Sequence, residues 1–340
     1  IAPVVYNLSI ILFGWVYSSS PESTVYGFAI GGLVGSVIGH LFLQLLGAKK
    51  NGLVFKFLKP RLEHVLQYVR ISLPLILGQS IAVIDEQLFR YFGSLLSTGS
   101  IASFRYARRV ALIPVGVVAQ AVGVASYPML SNLFVESKLD EFKLLVRKQL
   151  SALAVINTGF LIVFLTNSEN IIEIIYQRGL FSAEDTLRVS SIFMVVAFGL
   201  IPWSLNQIIT RSYYVQKNYW FPVWVGTSIT IITIIILYLL KDPTEGSYAI
   251  VIISSLWINT LLLSIFLKIK DERLINRYQL LDFLKILVIG LVTYYLSISM
   301  ELYSGNPLIE LVSDTFFIFI VLLMSLLVVK MKYINLKRTR

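Results

Sequence analysis

Apolar residues in this chain fall into about ten runs of roughly 20, each long enough to cross a hydrocarbon core about 30 Å thick as a helix. The runs lie near 2–18, 25–47, 72–94, 101–129, 147–166, 188–214, 221–240, 247–268, 281–300 and 309–331, bounded by Pro, Gly, Ser and charged clusters. A transmembrane barrel would alternate polar and apolar positions instead. The pattern predicts an all-α polytopic membrane protein of about ten transmembrane helices.

Composition sharpens that picture. Of 340 residues, 56% are hydrophobic and only 14% charged, with a mean hydropathy of +0.78. Soluble domains carry about 25% charged residues. Cysteine is absent and histidine occurs only at His40 and His64, which removes disulfides, thiol nucleophiles and Cys/His zinc sites. No enzyme activity, metal or cofactor is expected.

The net charge of +10 gains meaning from its placement. Twenty basic residues, from Lys49, Lys50, Lys56, Lys59, Arg61 and Arg70 to the terminal Lys337, Arg338 and Arg340, fall on one side of the predicted membrane. The opposite side holds Arg178, Arg188 and Lys241. The positive-inside rule makes the richer side cytoplasmic, and with it both chain ends. Basic residues spread along a membrane face also argue against nucleic acid as a partner. The stretch 48–71 mixes apolar residues with Lys and Arg and predicts an amphipathic segment along the cytoplasmic interface. A start at Ile1, without Met or a cleavable leader, reads as a fragment.

Charges inside spans are the candidates for function. The third span carries Asp85, Glu86 and Arg90, and the fourth carries Arg105, Arg108 and Arg109. Each costs about 2.5 to 3.5 kcal/mol at the centre of a membrane helix. Folding the two spans about the turn Ser97–Ser100 sets Glu86 opposite Arg109 and Arg90 opposite Arg105. The three arginines of the fourth span share one side of its helix and outnumber the two carboxylates. Such a surplus favours an anionic ligand, because guanidinium groups stay charged and bind phosphate oxygens bidentately. An internal ion-pair network is the competing reading. Asp85 and Glu86 are either counter-ions to the arginines or a site for a coupling proton or monovalent cation. Arg90 and Arg211 are candidates for headgroup contact. Gly27, Gly31, Gly35 and Gly39 form a ladder at spacing four that predicts close helix packing. Pro74, Pro114, Pro128 and Pro202, inside or near the ends of spans, predict kinks.

Four motifs in order resemble the MurJ (MviN) family of lipid II flippases, in the multidrug/oligosaccharidyl-lipid/polysaccharide (MOP) exporter superfamily. They are Ala2-Pro3 with Asn7; Tyr106-Ala107-Arg108-Arg109 with Pro114 and Gly116, followed by Pro128 and Ser131; Tyr176-Gln177-Arg178-Gly179-Leu180-Phe181-Ser182 with Asp185; and Arg211-Ser212-Tyr213-Tyr214 with Pro222.

The resemblance implies a fourteen-helix transporter whose helices five to fourteen this chain matches. On that basis 1–47 would be the last two helices of the amino-terminal bundle and 48–71 the cytoplasmic linker. Residues 72–268 would form the carboxy-terminal six-helix bundle, and 269–340 two further helices, a lipid-tail groove, with a basic tail. The implied activity is alternating-access translocation of undecaprenyl-diphosphate-linked peptidoglycan precursor across the bacterial inner membrane. Arg109 matches a cavity arginine of the family, and Arg105 and Arg108 are cations that the family does not usually carry there. The implied partners are the lipid-linked precursor, the phospholipid bilayer and other cell-wall synthesis proteins. Membrane potential or a monovalent cation gradient would supply the energy. Two alternatives stay open: a flippase for another polyprenyl-diphosphate oligosaccharide, and a cation-coupled drug exporter. The arginine surplus disfavours the exporter.

Overall fold

A computed structural model describes residues 2–52, 61–241, 243–269, 272–274, 277–299 and 307–320. They are almost wholly helical, and the chain divides into two compact units, Ile1–Gln67 and Tyr68–Arg340.

In the first unit α1 (Ala2–Val16) and α2 (Pro21–Gly35) form a hairpin. Ser20 caps α2 by accepting from the Ser23 amide while the Ser23 hydroxyl accepts from the Ser20 amide, and Pro21 needs no donor at that position. The glycine ladder sets the helix spacing. A Cβ on Gly31 would lie 2.5 Å from the Ser9 carbonyl oxygen and 2.8 Å from Ile10 Cα. The backbones therefore meet without side chains between them. After Gly35 the helix widens into a π segment, Ser36–Phe42, and resumes as α3 (Leu43–Lys50).

The second unit begins near the start of α4 (Leu62–Ser94), a continuous helix that starts well before the predicted span at 72. Residues 61–70, in the later part of the stretch expected to lie along the interface, lead directly into the span, and all of them are exposed. Residues 53–60 lie outside the described residues. The fourth predicted span is divided. α5 (Ser100–Ala111) stops ahead of Pro114, whose missing amide leaves the ladder open. A π segment at Val115–Ala119 re-registers the chain into α6 (Gln120–Val135).

α7 (Leu139–Thr166), the short α8 (Ser168–Tyr176), α9 (Ala183–Ala197), α10 (Leu200–Val215), α11 (Trp220–Leu239) and α12 (Glu245–Phe266) complete the bundle. α9 and α10 together make one predicted span, broken at Phe198–Gly199. There the Trp257 indole N–H donates to the freed Phe198 carbonyl at 3.0 Å. The core runs between α5, α7, α9, α10 and α12, with Phe104, Phe142, Leu153, Phe193 and Ile208 essentially inaccessible.

A two-residue antiparallel pair, β1 (Lys268–Ile269) with β2 (Glu272–Arg273), leads to α13 (Arg277–Ser299). α13 crosses α7 where Gly290 abuts Thr158. A further helix at 307–320 is tied to α8 through Asn170 Nδ2 and Glu310 Oε2, 3.1 Å apart. Among the described residues six helical stretches are long and apolar enough to cross a membrane, and two shorter apolar helices accompany them.

Candidate functional site, an arginine-lined cavity

α5 has the pattern of a helix with two masters. Ser100, Ser103, Phe104, Ala107, Val110 and Ala111 recur at spacings of three and four and are buried, chiefly against α9. That leaves Arg105 and Arg109, one turn apart, on the exposed side. Arg108 stands at the boundary, half-buried, with its guanidinium carbon 5.7 Å from the centre of the Trp203 ring on α10.

A cavity of about 440 Å³ gathers Arg90 from α4 and Arg105, Arg108 and Arg109 from α5, with Tyr106 and Leu112 completing much of its wall. Its size falls within the range of small-molecule sites. Arg90 and Arg105, expected opposite one another, do share this space. Among the described residues neither Arg105 nor Arg109 is in an ion pair. The Asp85 and Glu86 side chains lie outside the described residues, although both positions belong to α4.

Two devices hold the α4–α5 hairpin in place. Phe92, two residues beyond Arg90, is buried edge-on against Tyr238 and Tyr248, with centroids 5.2 and 5.4 Å away, while the Tyr91 and Tyr238 hydroxyls lie 2.8 Å apart. The second device is Arg188 of α9. Its guanidinium donates to the Thr98 carbonyl at 2.9 Å, to the hydroxyls of Ser97 and Ser100 at 2.8 and 3.1 Å, and to the Glu245 carboxylate at the start of α12. Gly99, at φ +92°, turns the chain beneath this guanidinium. One side chain therefore joins the hairpin turn, α9 and α12.

The sequence placed Arg188 at the start of a span, on the side opposite the basic set, and assigned Glu245 and Trp203 no role, while Tyr176 and Phe181 entered only as motif residues. Tyr106 meets Tyr176 at the end of α8 and Phe181 in the loop before α9, with centroids 4.7 and 5.6 Å away. Burial raises the Tyr176 phenol above its ordinary pKa, and the nearby charge of Arg109 acts in the opposite direction. The signal for both rings was present in the Tyr176–Ser182 motif, but no periodicity links that motif to α5.

Arg211 lies apart from the cavity residues, on α10. Its guanidinium turns back along the helix, donating to the Gln207 carbonyl at 3.2 Å, and rests on α6 where Gly123 leaves room. A helical side chain leans towards its own N-terminus, which explains the direction. Among the described residues no group of three or more His, Cys, Asp or Glu could hold a metal ion.

An all-α polytopic membrane protein with four arginines around one cavity is the class that fold and site define. The chain belongs to the lipid II flippase MurJ family, whose model matches residues 1–333. It is 24% identical over 273 residues to the probable lipid II flippase MurJ of Treponema pallidum (strain Nichols), covering 78% of this chain and 51% of that protein. Against the probable lipid II flippase MurJ of Helicobacter pylori (strain ATCC 700392 / 26695) the identity is 27% over 209 residues, covering 56% of this chain and 44% of that protein. A solved structure of lipid II flippase MurJ in an inward closed conformation superposes with a TM-score of 0.75 at 20% identity, covering 98% of this chain and 67% of that one. The chain spans about half the length of the curated relatives it matches.

Proposed function

We propose that this protein translocates a polyprenyl-diphosphate-linked peptidoglycan precursor, lipid II, across the bacterial inner membrane, with its carboxy terminus in the cytoplasm. The observation that carries the reading is the convergence of Arg90, Arg105, Arg108 and Arg109 on one cavity, taken with family membership over residues 1–333. Like charges four residues apart on a helix repel, so the exposed pair Arg105 and Arg109 is relieved when an anion sits between them. A diphosphate supplies several acceptor oxygens for the planar guanidinium forks. Asp85 and Glu86 then moderate the cationic charge or hold a coupling cation, and α13 with the helix at 307–320 guides the polyprenyl tail. Moving charge across the membrane field is worth about 2.3 kcal/mol per charge per 100 mV, and on this reading membrane potential or a monovalent cation gradient drives the transport.

The test is transport of labelled lipid II in cells depleted of their own flippase and supplied with this protein. Arg109→Ala is expected to lower transport about ten- to a hundredfold, the worth of charge-assisted hydrogen bonds. Arg109→Ala supporting undiminished growth and flipping would refute the assignment. Lys138→Ala, which removes an exposed pair with Glu136, serves as the neutral comparison.

A further inference from the structure

The cavity has an aromatic wall that binding of a diphosphate alone does not explain. Tyr106 lines it among the arginines and is 38% exposed. Tyr106 lies one turn from Arg109, so ring and guanidinium share a helix face. Two further rings back it from other elements. Phe181 meets Tyr106 almost at a right angle, 82°, and Tyr176 and Phe181 are themselves 5.9 Å apart.

The segment that carries Phe181 is closely tied. Gly179 takes φ +63°, and the Phe181 amide donates to the Arg178 carbonyl at 3.2 Å. Ser182 and Asp185 cap α9 reciprocally, and the Thr186 hydroxyl donates to Gln177 Oε1 at 2.7 Å. Phe181 is thus fixed at both ends of a short loop, so Tyr106 is supported from behind. Among the described residues the Tyr106 hydroxyl has no protein hydrogen-bond partner.

We infer that Tyr106, buttressed by Tyr176 and Phe181, is the stacking platform for the first sugar ring of a diphosphate-linked glycolipid held by Arg105 and Arg109. The inference rests on the transport reading above and extends it to what distinguishes one polyprenyl diphosphate from another. Guanidinium groups bind any diphosphate, so they give affinity without selecting the cargo. An aromatic face carries negative charge density that attracts the positive C–H face of a pyranose, and the ring supplies broad apolar contact with few rotors to freeze. The unpartnered hydroxyl at its rim can meet a sugar hydroxyl.

The experiment measures binding of two probes to the purified full-length protein in lipid nanodiscs: undecaprenyl diphosphate, and the same lipid carrying its sugars. Tyr106→Ala is expected to weaken the sugar-bearing lipid about three- to tenfold, the scale of one aromatic contact, while changing the bare diphosphate less than about twofold. Tyr106→Phe should keep most of the preference, and Tyr106→Leu, which retains bulk without a π face, should lose it. Melting of each variant separates folding from recognition. Equal weakening of both lipids by Tyr106→Ala, or of neither, overturns the platform. Arg109→Ala should weaken both lipids alike; if it weakens neither, the transport reading fails while the sugar preference of Tyr106 is still judged by its own variants.

Discussion

The two units solve the same packing problem differently. Every buried residue among those described in Ile1–Gln67 is a glycine: Gly14, Gly27, Gly31, Gly35 and Gly39. The unit from Tyr68 onward instead buries large side chains, Phe92, Phe104, Phe142 and Phe193 among them. It also buries hydroxyl groups that bond back to their own helices, such as Thr158 to the Ala154 carbonyl at 2.7 Å and Thr233 to that of Ile229 at 2.8 Å. In lipid there is little hydrophobic drive between helices, so association comes from close contact and satisfied polar groups. The hairpin uses the first device alone. Its two predicted spans, 2–18 and 25–47, hold no Asp, Glu, Lys or Arg, whereas the bundle concentrates arginines at a cavity. The hairpin thus packs by backbone without charge, whereas the bundle relies mainly on side chains, carries charge, and uses glycine at only some of its contacts, Gly123 and Gly290 among them.

The largest expected effect tests the backbone device. Gly31→Val would push a branched side chain into the Ser9 carbonyl and Ile10 Cα, which are backbone atoms with nowhere to move. Overpacking of this kind costs about 3 kcal/mol at the upper end of its range. Unfolding in detergent should reveal a markedly less stable hairpin. Gly47→Val, where nothing lies within 4 Å, should leave stability nearly unchanged. Equal losses at both positions would show that the ladder does not set the helix spacing.

The next effect concerns the bundle. Arg188 and Glu245 are 32% and 17% exposed at their side chains, so the pair is neither dry nor fully solvated. Arg188→Ala also removes the bonds that Arg188 donates to the Thr98 carbonyl and to the Ser97 and Ser100 hydroxyls, although those two hydroxyls keep each other as partners. A loss of about 2 kcal/mol is expected, between the values for exposed and buried pairs. Glu245→Gln should cost less, because the contacts of Arg188 to Thr98, Ser97 and Ser100 survive. Thermal melting of the two single variants and the double variant checks both figures.

These two devices were unequally legible in the sequence. Glycine spacing of four announces close packing on its own, because i and i+4 share a helix face. The arginine cavity was readable for the same reason: Arg105 and Arg109 are one turn apart, and a short turn brings Arg90 back to their level. Arg188 and Glu245 are 57 positions apart, and only the assembled bundle brings them together. Trp203 beneath Arg108 and Phe181 behind Tyr106 were hidden likewise. The nine-residue α8 escaped notice because it is too short to register as a span. Local periodicity reports what lies along one helix; contacts between helices depend on order and orientation, which periodicity does not encode.

A smaller effect is expected where the two devices meet. Gly123 works like the hairpin glycines, but what it admits is a charge: a Cβ there would overlap Arg211 Nη1 and lie 2.6 Å from its Cζ. The obstacle is the end of a flexible side chain, so Gly123→Ala should cost about 1 kcal/mol, the lower end of the range for overpacking. Combined with Arg211→Met, a thinner and uncharged end, the loss should be less than the sum of the single variants. Strict additivity in melting experiments would mean that Gly123 does not exist to seat Arg211.

The smallest effect bears on how the bundle carries its charge. Arg108 lies over Trp203 at 5.7 Å, close enough for the ring quadrupole to hold the guanidinium while it faces the cavity. Such a contact is worth about 0.5 to 1 kcal/mol where water still reaches the cation. Trp203→Leu alone cannot measure it, because that ring also packs against Gly199, where a Cβ would lie 2.8 Å from Trp203 Cζ3. A double-mutant cycle with Arg108→Met removes the packing contribution common to both backgrounds. The expected coupling is about 0.5 to 1 kcal/mol, and it should fall when an anionic lipid headgroup competes for the guanidinium. Zero coupling would mean that Trp203 is only a packing residue and that other contacts position Arg108. The bundle would then differ from the hairpin in possessing charges, but not in using its aromatic core to hold them.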